Sequence, residues 1–359
     1  MNFEQTDDRR MLAETLRRYL SETYPAAHRN AVAYEAPFHD PARWAEMAAL
    51  GVFYAFAPED RGGMGGHGFD IVTVFEELGR ALCPEPVLGQ LLATVLLGAA
   101  GQDLDPALSG ETRFALALGE TDAPYDPADV ATLAKPDGSG WRVTGRKSVV
   151  YGAPSAQAIL VVAKRPSGQV AIFSVAPQDV ELHGYAMIDG GPAGEVILEG
   201  SPAALILEDA SGPLAETLDL GALALCAEAL GAMEVVQATL VEYLRTRKQF
   251  GQPIGAFQAL QHRAVDLAIE IEQARSIVIL AASTHGTDGF ATRAAQAKHL
   301  VGRIARQVSE EAIQMHGGIG ITWEYPMSHY AKRLVMIDHQ LGDTDWHLER
   351  LMAGLGVGA

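Results

Sequence analysis

The chain has 359 residues, 48% of them hydrophobic, which suffices for two or three domains with a large core and argues against disorder. Its formal charge of −18, from 27 Lys and Arg against 45 Asp and Glu, argues against a nucleic-acid partner, because phosphate binding needs a concentrated basic face. The two cysteines, Cys83 and Cys226, lie far apart and outside any CxxC or His/Cys cluster, so neither a metal site nor a disulfide framework is expected and a reducing cytoplasm is the expected setting.

In chain order, residues 1–111 read as a helical domain. The opening MNFEQTDDRRMLAETLRRYL is charged and amphipathic rather than a secretory signal, with Leu12, Leu16 and Leu20 at a spacing of four. Trp44, Met47 and Leu50 continue an apolar stripe. The Gly-rich run Pro58 to Gly68 lacks both a preceding strand and the Lys-Ser/Thr ending of a phosphate loop, so it reads as a turn. Phe69 to Leu82 follows as a helix.

Residues 112–210 change texture. Phe114–Leu118, Trp141–Thr144, Ser148–Tyr151, Ala158–Val162, Val170–Val175 and Glu195–Leu198 are short runs, mostly β-branched or aromatic, separated by turn residues. They predict a β-barrel or sandwich, with Pro136 to Gly140 as a hairpin turn. Residues 211–359 are helical again. Leu218 to Met233 carries Asp219 and Glu228 and is too short for a bilayer, so it reads as a buried helix and no membrane is expected. Val265, Ala268 and Ile269, and then Ala297, Val301, Ile304, Val308 and Ala312, recur with helical spacing. The breaks at Gly251 with Pro253, at His285–Gly289 and at Gly317–Gly320 make a four-helix bundle the economical arrangement. The fold class expected is α+β.

Two stretches carry chemistry: RKQFGQPIGAFQ, Arg247 to Gln258, and QMHGGIG, Gln314 to Gly320. A guanidinium suits pyrophosphate, an aromatic ring covers an apolar ligand face, and Gly lets backbone come close. Together they point to an anionic ligand with an aromatic part.

With RxxFGxxxxxFQ and then QxxGGxG on the C-terminal helices, joined by Glu76-Glu-Leu-Gly-Arg80, Gly145-Arg-Lys147 and Tyr325-Pro326, the chain resembles the acyl-CoA dehydrogenase superfamily over nearly its whole length. The resemblance implies FAD shared between two subunits of a dimer, and commonly a dimer of dimers. Arg247, Phe250, Gln258, Gln314, Gly317 and Gly318 would meet the ADP half of a cofactor held mainly by the neighbour. His316 stays open between a ligand contact and a satisfied bundle histidine. On the β-domain, the family's TEPGxGSD-like segment aligns with Gly119 to Asp126, retaining Glu120 and Asp126. Its Trp-x-Thr-like strand aligns with Val149 and Tyr151, so the expected hydroxyl is absent or moved to the Tyr151 phenol.

The implied reaction removes a proton from the α-carbon of an acyl-CoA thioester while a hydride passes from the β-carbon to flavin, giving a trans-2-enoyl-CoA. The base needs a carboxylate beside the substrate. The family's YEGT-like segment aligns with Leu341-Gly-Asp343, placing Asp343 near the Glu; the alternative family position, near Gly221-Ala222, supplies no carboxylate. Asp343 is therefore the candidate base, against the competing reading of a helix cap. Glu228 and Glu242 read as partner charges inside the bundle. In the alternative, the chain is a non-catalytic, cofactor-completing subunit of a heterotetramer, since it looks like a subunit of heteromeric steroid-CoA dehydrogenases. A homotetramer or heterotetramer, an acyl-CoA substrate and an electron-transfer flavoprotein as acceptor are what the resemblance implies.

Overall fold

The structure is a computed structural model and describes residues 6–355. Helices α1 (Asp7–Thr23), α2 (Ala26–Tyr34), α3 (Pro41–Ala49), α4 (Gly68–Ala81), α5 (Val87–Ala99) and α6 (Asp105–Leu108) come first. Strands β1 (Phe114–Ala117), β2 (Leu133–Asp137), β3 (Gly140–Tyr151), β4 (Ala158–Lys164), β5 (Val170–Val175), β6 (Glu181–Ala186) and β7 (Pro192–Leu207) follow. The chain ends in α7 (Ser211–Thr246), the short strands β8 (Lys248–Gln249) and β9 (Gln252–Pro253), and then α8 (Gln258–Ser283), α9 (Phe290–His316), α10 (Met327–Asp338) and α11 (Thr344–Gly354). The helix, strand, helix order matches the expected α+β class.

By packing, the described chain resolves into two compact units, and α4 and α7 each run from one into the other. One unit holds α1, the later part of α4, and the chain from Ala222 onward. Thr6 caps α1 by accepting from Arg9 N, and Ala13, Leu16 and Leu20 are the buried stripe read from the sequence. Inside this unit α4 and α7 cross with their backbones touching. A Cβ on Gly79 would lie 1.9 Å from the Glu228 carbonyl oxygen, and one on Gly231 would lie 1.9 Å from that of Glu76. Around the crossing runs an ionic network. Arg17 grips Glu77 with two bonds of 2.8 and 2.6 Å, Arg80 joins Glu76, Glu77 and Glu234, and Arg275 reaches Glu234. Arg333 grips Glu228 at 2.6 and 2.7 Å, so Glu228 is a partner charge as expected. α7 is the one described helix long and apolar enough to cross a membrane by composition, and 67% of its most apolar window is buried inside the protein.

The other unit holds Ala27–Asp70 and Pro84–Gly221. Its sheet runs β1-β4-β2-β3-β7-β5 and closes through a second pairing of β4 with β5, so five strands form a small barrel with β1 and β6 appended. Ala117, Val143, Ile159, Val161, Phe173, Val196 and Leu198 fill its interior. The buried Gln90 side chain on α5 donates to the carbonyls of Ala107 and Thr112 and accepts from Phe114 N, tying α5 to the entry of β1. The hairpin expected at Pro136 to Gly140 is present, since β2 pairs with β3 in register Asp137↔Gly140.

Three readings change. The runs at Trp141 and Ser148 are one strand, β3, interrupted by bulges. Strand β6, ELHGYA, carried no pattern because it pairs only with β7 and has no buried residue. Val265 and Ile269 lie on a helix, but 57% and 54% exposed, because α8 buries a different face through Leu267, Ile271, Ala274 and Val278.

A methyl group at the α4–α7 crossing has nowhere to go. Gly231→Ala is expected to cost about 3 kcal/mol by overpacking, read as a lower urea midpoint. Gly212→Ala, where nothing lies within 4 Å, should leave the midpoint unchanged or raise it.

Candidate cofactor and substrate site

The long α7 ends at Thr246 and is followed by Arg247, whose N–H donates to the Tyr243 carbonyl at 2.8 Å and whose own carbonyl accepts from Ile254 N at 2.8 Å. Between those bonds β8 and β9 pair as a two-residue hairpin, with Phe250 at φ 53 and Gly251 at φ 83. Two positive φ values are what a tight hairpin of this length requires. The turn lifts the Phe250 ring to 91% exposure, edge-on to Phe257 at 6.0 Å. Arg247 and Gln258 are exposed, and among the described residues neither side chain has a polar partner.

α9 ends beside this hairpin's base. Tyr243 stacks on His316 at 4.5 Å and its hydroxyl donates to the His316 carbonyl at 3.1 Å, so the structure brings the two motifs together. Gly317, at φ 67 and ψ −148, turns the chain out of α9, and a Cβ on Gly317 or Gly318 would meet nothing within 4 Å. Gln314 is exposed on the last turn. His316 itself is buried; its Nδ1–H donates to the Ala312 carbonyl at 2.8 Å, and Nε2 has no partner. Burial pushes its pKa down, which keeps it neutral. His316 is thus a bundle histidine with one acceptor unspent, and Tyr243 is the residue that sequence reading missed. Its position four residues before Arg247 on one helix face was the available signal.

The β-barrel end is built differently. Glu120 accepts from Ala131 N at 2.6 Å, Thr132 N at 3.0 Å, Thr132 Oγ1 at 2.6 Å and Lys147 Nζ at 2.8 Å. Burial pushes this carboxyl up, but the bonds from Lys147, Thr132 and Ala131 outweigh it and hold it at about 2. Lys147 is wholly buried, also donates to the Leu118 carbonyl at 2.9 Å, and is pulled down by burial to about 8. The Glu120 carboxylate thus accepts four hydrogen bonds from its own chain, three on Oε1 and one on Oε2. Tyr151 ends β3 opposite Ala193 and is half-buried. Just before it a bulge sets Val149 at φ 52, an outlying conformation for a β-branched residue. Glu195 holds the bulge, accepting from Val149 N at 3.2 Å, Ser148 Oγ at 3.1 Å and the Tyr185 hydroxyl at 3.1 Å.

The third element is the turn before α11. Asp343 caps that helix: its Oδ1 accepts from Trp346 N at 2.8 Å. The turn is fixed through its carbonyls. The buried Lys298 Nζ donates to those of Asp338 (2.8 Å) and Gly342 (2.6 Å), His347 to that of Leu341 (3.1 Å) and His299 to that of Thr344 (3.0 Å). Burial drags Lys298 down to about 8 and, with the positive charge of Lys298, His347 to about 3. Leu341 sits at φ 54 and Gly342 at φ 97, where a Cβ would lie 2.4 Å from Trp346.

The residues at the bundle edge fit the ADP end of FAD: a free guanidinium, an exposed ring, two exposed amides, and two glycines whose open side a Cβ would fill. On the barrel, Glu120 is hydrogen-bonded within its own chain, and Val149 and Tyr151 are bulky. Among the described residues no cluster of His, Cys, Asp and Glu could hold a metal.

Comparison with known proteins finds one family over most of the chain. The family model "Acyl-CoA dehydrogenase, C-terminal domain" matches residues 214–356, and "Acyl-CoA dehydrogenase, N-terminal domain" matches residues 6–103. "Acyl-CoA dehydrogenase IpdE2" of Mycobacterium tuberculosis is 32% identical, over 91% of this chain and 91% of that protein. The structure of the ChsE4-ChsE5 complex from Mycobacterium tuberculosis is similar with a TM-score of 0.90 and 26% identity, covering 100% of each chain. The Tcur3481-Tcur3483 steroid ACAD variant is similar with a TM-score of 0.89 and 29% identity, covering 98% of each chain.

Glu120 carries a pH signature. Its folded pKa of about 2 lies below the ordinary 4.5, so its contribution is complete above 4.5 and is lost as pH falls toward 2. Glu120→Gln should lower stability at pH 7 and flatten the acid slope in that window, followed by urea melts at several pH values. Lys147→Met, which leaves Glu120 buried without its cation, should cost on the order of 3 kcal/mol at pH 7.

Proposed function

Because this chain belongs to the acyl-CoA dehydrogenase family, we propose that it works as one subunit of a two-chain assembly that dehydrogenates an acyl-CoA thioester to a trans-2-enoyl-CoA. The enzyme is a flavin-dependent oxidoreductase with FAD as cofactor. Bound FAD supplies the hydride acceptor. This chain supplies the arm that completes a partner's cofactor site. Arg247 offers charge-assisted donors to pyrophosphate, Phe250 an apolar ring, Gln258 and Gln314 amides, and Gly317 and Gly318 room for close approach.

One observation carries the reading. The residues suited to a neighbour's cofactor are exposed and unspent, whereas the carboxylates of Glu120 and Asp343 each accept hydrogen bonds from their own chain. The exposed face of α8 supports an assembly as well: Val265, Ala268, Ile269, Ile277 and Leu280, with Leu300 of α9, line an open apolar groove of about 670 Å³. The steroid ACAD and the ChsE4-ChsE5 complex among the similar structures favour a bulky acyl group and a paralogous partner. We further propose an electron-transfer flavoprotein as acceptor and the cytoplasm as location.

A second reading keeps Asp343 as the base, since the cap engages only Oδ1. Asn caps a helix as well as Asp does but cannot take a proton. In the two-chain reading, Asp343→Asn leaves turnover of the intact assembly and its stability unchanged. A fall in turnover of more than about a hundredfold, with stability kept, would transfer the base to this chain.

The assembly reading itself is tested by purification. Expressed alone the chain should be colourless, and co-expressed with a paralogous subunit the complex should be yellow and active; a yellow, active homomer would overturn it. Arg247→Leu should weaken flavin retention by the complex about tenfold.

A further inference from the structure

The arm that meets the cofactor comes from two places in the chain: the end of α7 with its hairpin, and the end of α9 with its glycines. Each is exposed, and neither is stiff by itself. The β8–β9 pair is two residues long on each side, and Gly317 and Gly318 lack side chains to pack. Something must fix one against the other if a single ligand is to meet both.

Tyr243 is the residue placed to do so. Its backbone carbonyl accepts from Arg247 N at 2.8 Å and so closes the last turn of α7 under the guanidinium. Its ring lies against the His316 ring at 4.5 Å with 30° between planes. Its hydroxyl donates to the His316 carbonyl at 3.1 Å, the peptide group that leads into Gly317. His316 is in turn anchored: Nδ1–H donates to the Ala312 carbonyl at 2.8 Å, the Tyr325 ring lies tilted against it at 5.4 Å, and a Cβ on Gly320 would come within 3.0 Å of its Cβ. An offset aromatic stack and a hydrogen bond acting between the same two residues fix both distance and rotation.

We propose that Tyr243 is the positioning residue of the cofactor-completing arm, setting Arg247 and Phe250 in register with Gly317 and Gly318 through its stack and hydrogen bond on His316. The proposal rests on the reading that this arm completes a partner's flavin site. Tyr243 acts through its neighbours, its hydroxyl being engaged by the His316 carbonyl.

The co-purified complex and the chain alone provide the test. In the complex, Tyr243→Phe keeps the stack and drops the hydroxyl, and flavin dissociation should rise about fivefold. Tyr243→Leu drops both, with a further rise of about fivefold. In the chain alone, hydrogen exchange of peptides covering 247–258 and 314–320 should quicken together in Tyr243→Leu, while exchange in α8 and α10 stays as in the wild type. A residue that merely stabilised the bundle would quicken exchange throughout. Unchanged flavin dissociation in a loaded complex, or loosening of only one of the two segments, overturns the proposal. A wild-type complex without flavin would instead overturn the assembly reading, and the exchange experiment would still decide the coupling. If the Leu variant does not fold, the Phe variant decides both measurements.

Discussion

The contact on which the bundle unit depends is the crossing of α4 and α7 at Gly79 and Gly231, where the two backbones come closer than any side chain would permit. Helices usually pack 8–10 Å apart, with side chains between them. Removing those side chains lets α7 lie directly on α4, so that α7 buries nearly every residue from Leu220 to Met233. It also brings the helices' flanking charges within reach of one another, and Arg17, Arg80, Arg275 and Arg333 answer the glutamates there. The course of α7 is thereby fixed, and with it the place where its far end presents Arg247.

A chain with a large excess of acid places its basic groups with care. Two lysines are wholly buried and handled in opposite ways. Lys147 meets a carboxylate, and the pair makes a closed knot in the barrel. Lys298 has carbonyl oxygens as its hydrogen-bond partners, so it holds backbone rather than charge. Both arrangements cost desolvation, and both gain by giving one fixed shape to a segment that has little hydrophobic material of its own.

How much of this was legible in the sequence follows from what each residue's signal is. The α1 stripe was readable because burial there follows helical period, and the run from Leu218 because a helix apolar on every side is a buried one. Val265 and Ile269 show the limit of the same rule, since periodicity marks an apolar face without saying whether this chain or another covers it. Strand β6 was invisible because it has one neighbour and no core face. Arg247, Phe250 and Gly317, which the proposal places on the arm, were singled out through motif chemistry, which is legible in a surface loop. Glu120 marks the limit of that signal: a carboxylate in a recognised place looks like a ligand, and only coordinates show four donors from its own chain upon it.

The turn before α11 divides its own positions by what could replace them. Gly342 is closed to every residue with a Cβ, because its φ is 97 and Trp346 and His347 stand where the new atom would go. Its neighbour Leu341 is held through its carbonyl, by His347, and not by its half-buried side chain. Any residue able to bear the same left-handed backbone can stand there without undoing the clamps from α9 and α11. The identity of the side chain at that position is therefore separable from the scaffold, which is held through backbone groups alone.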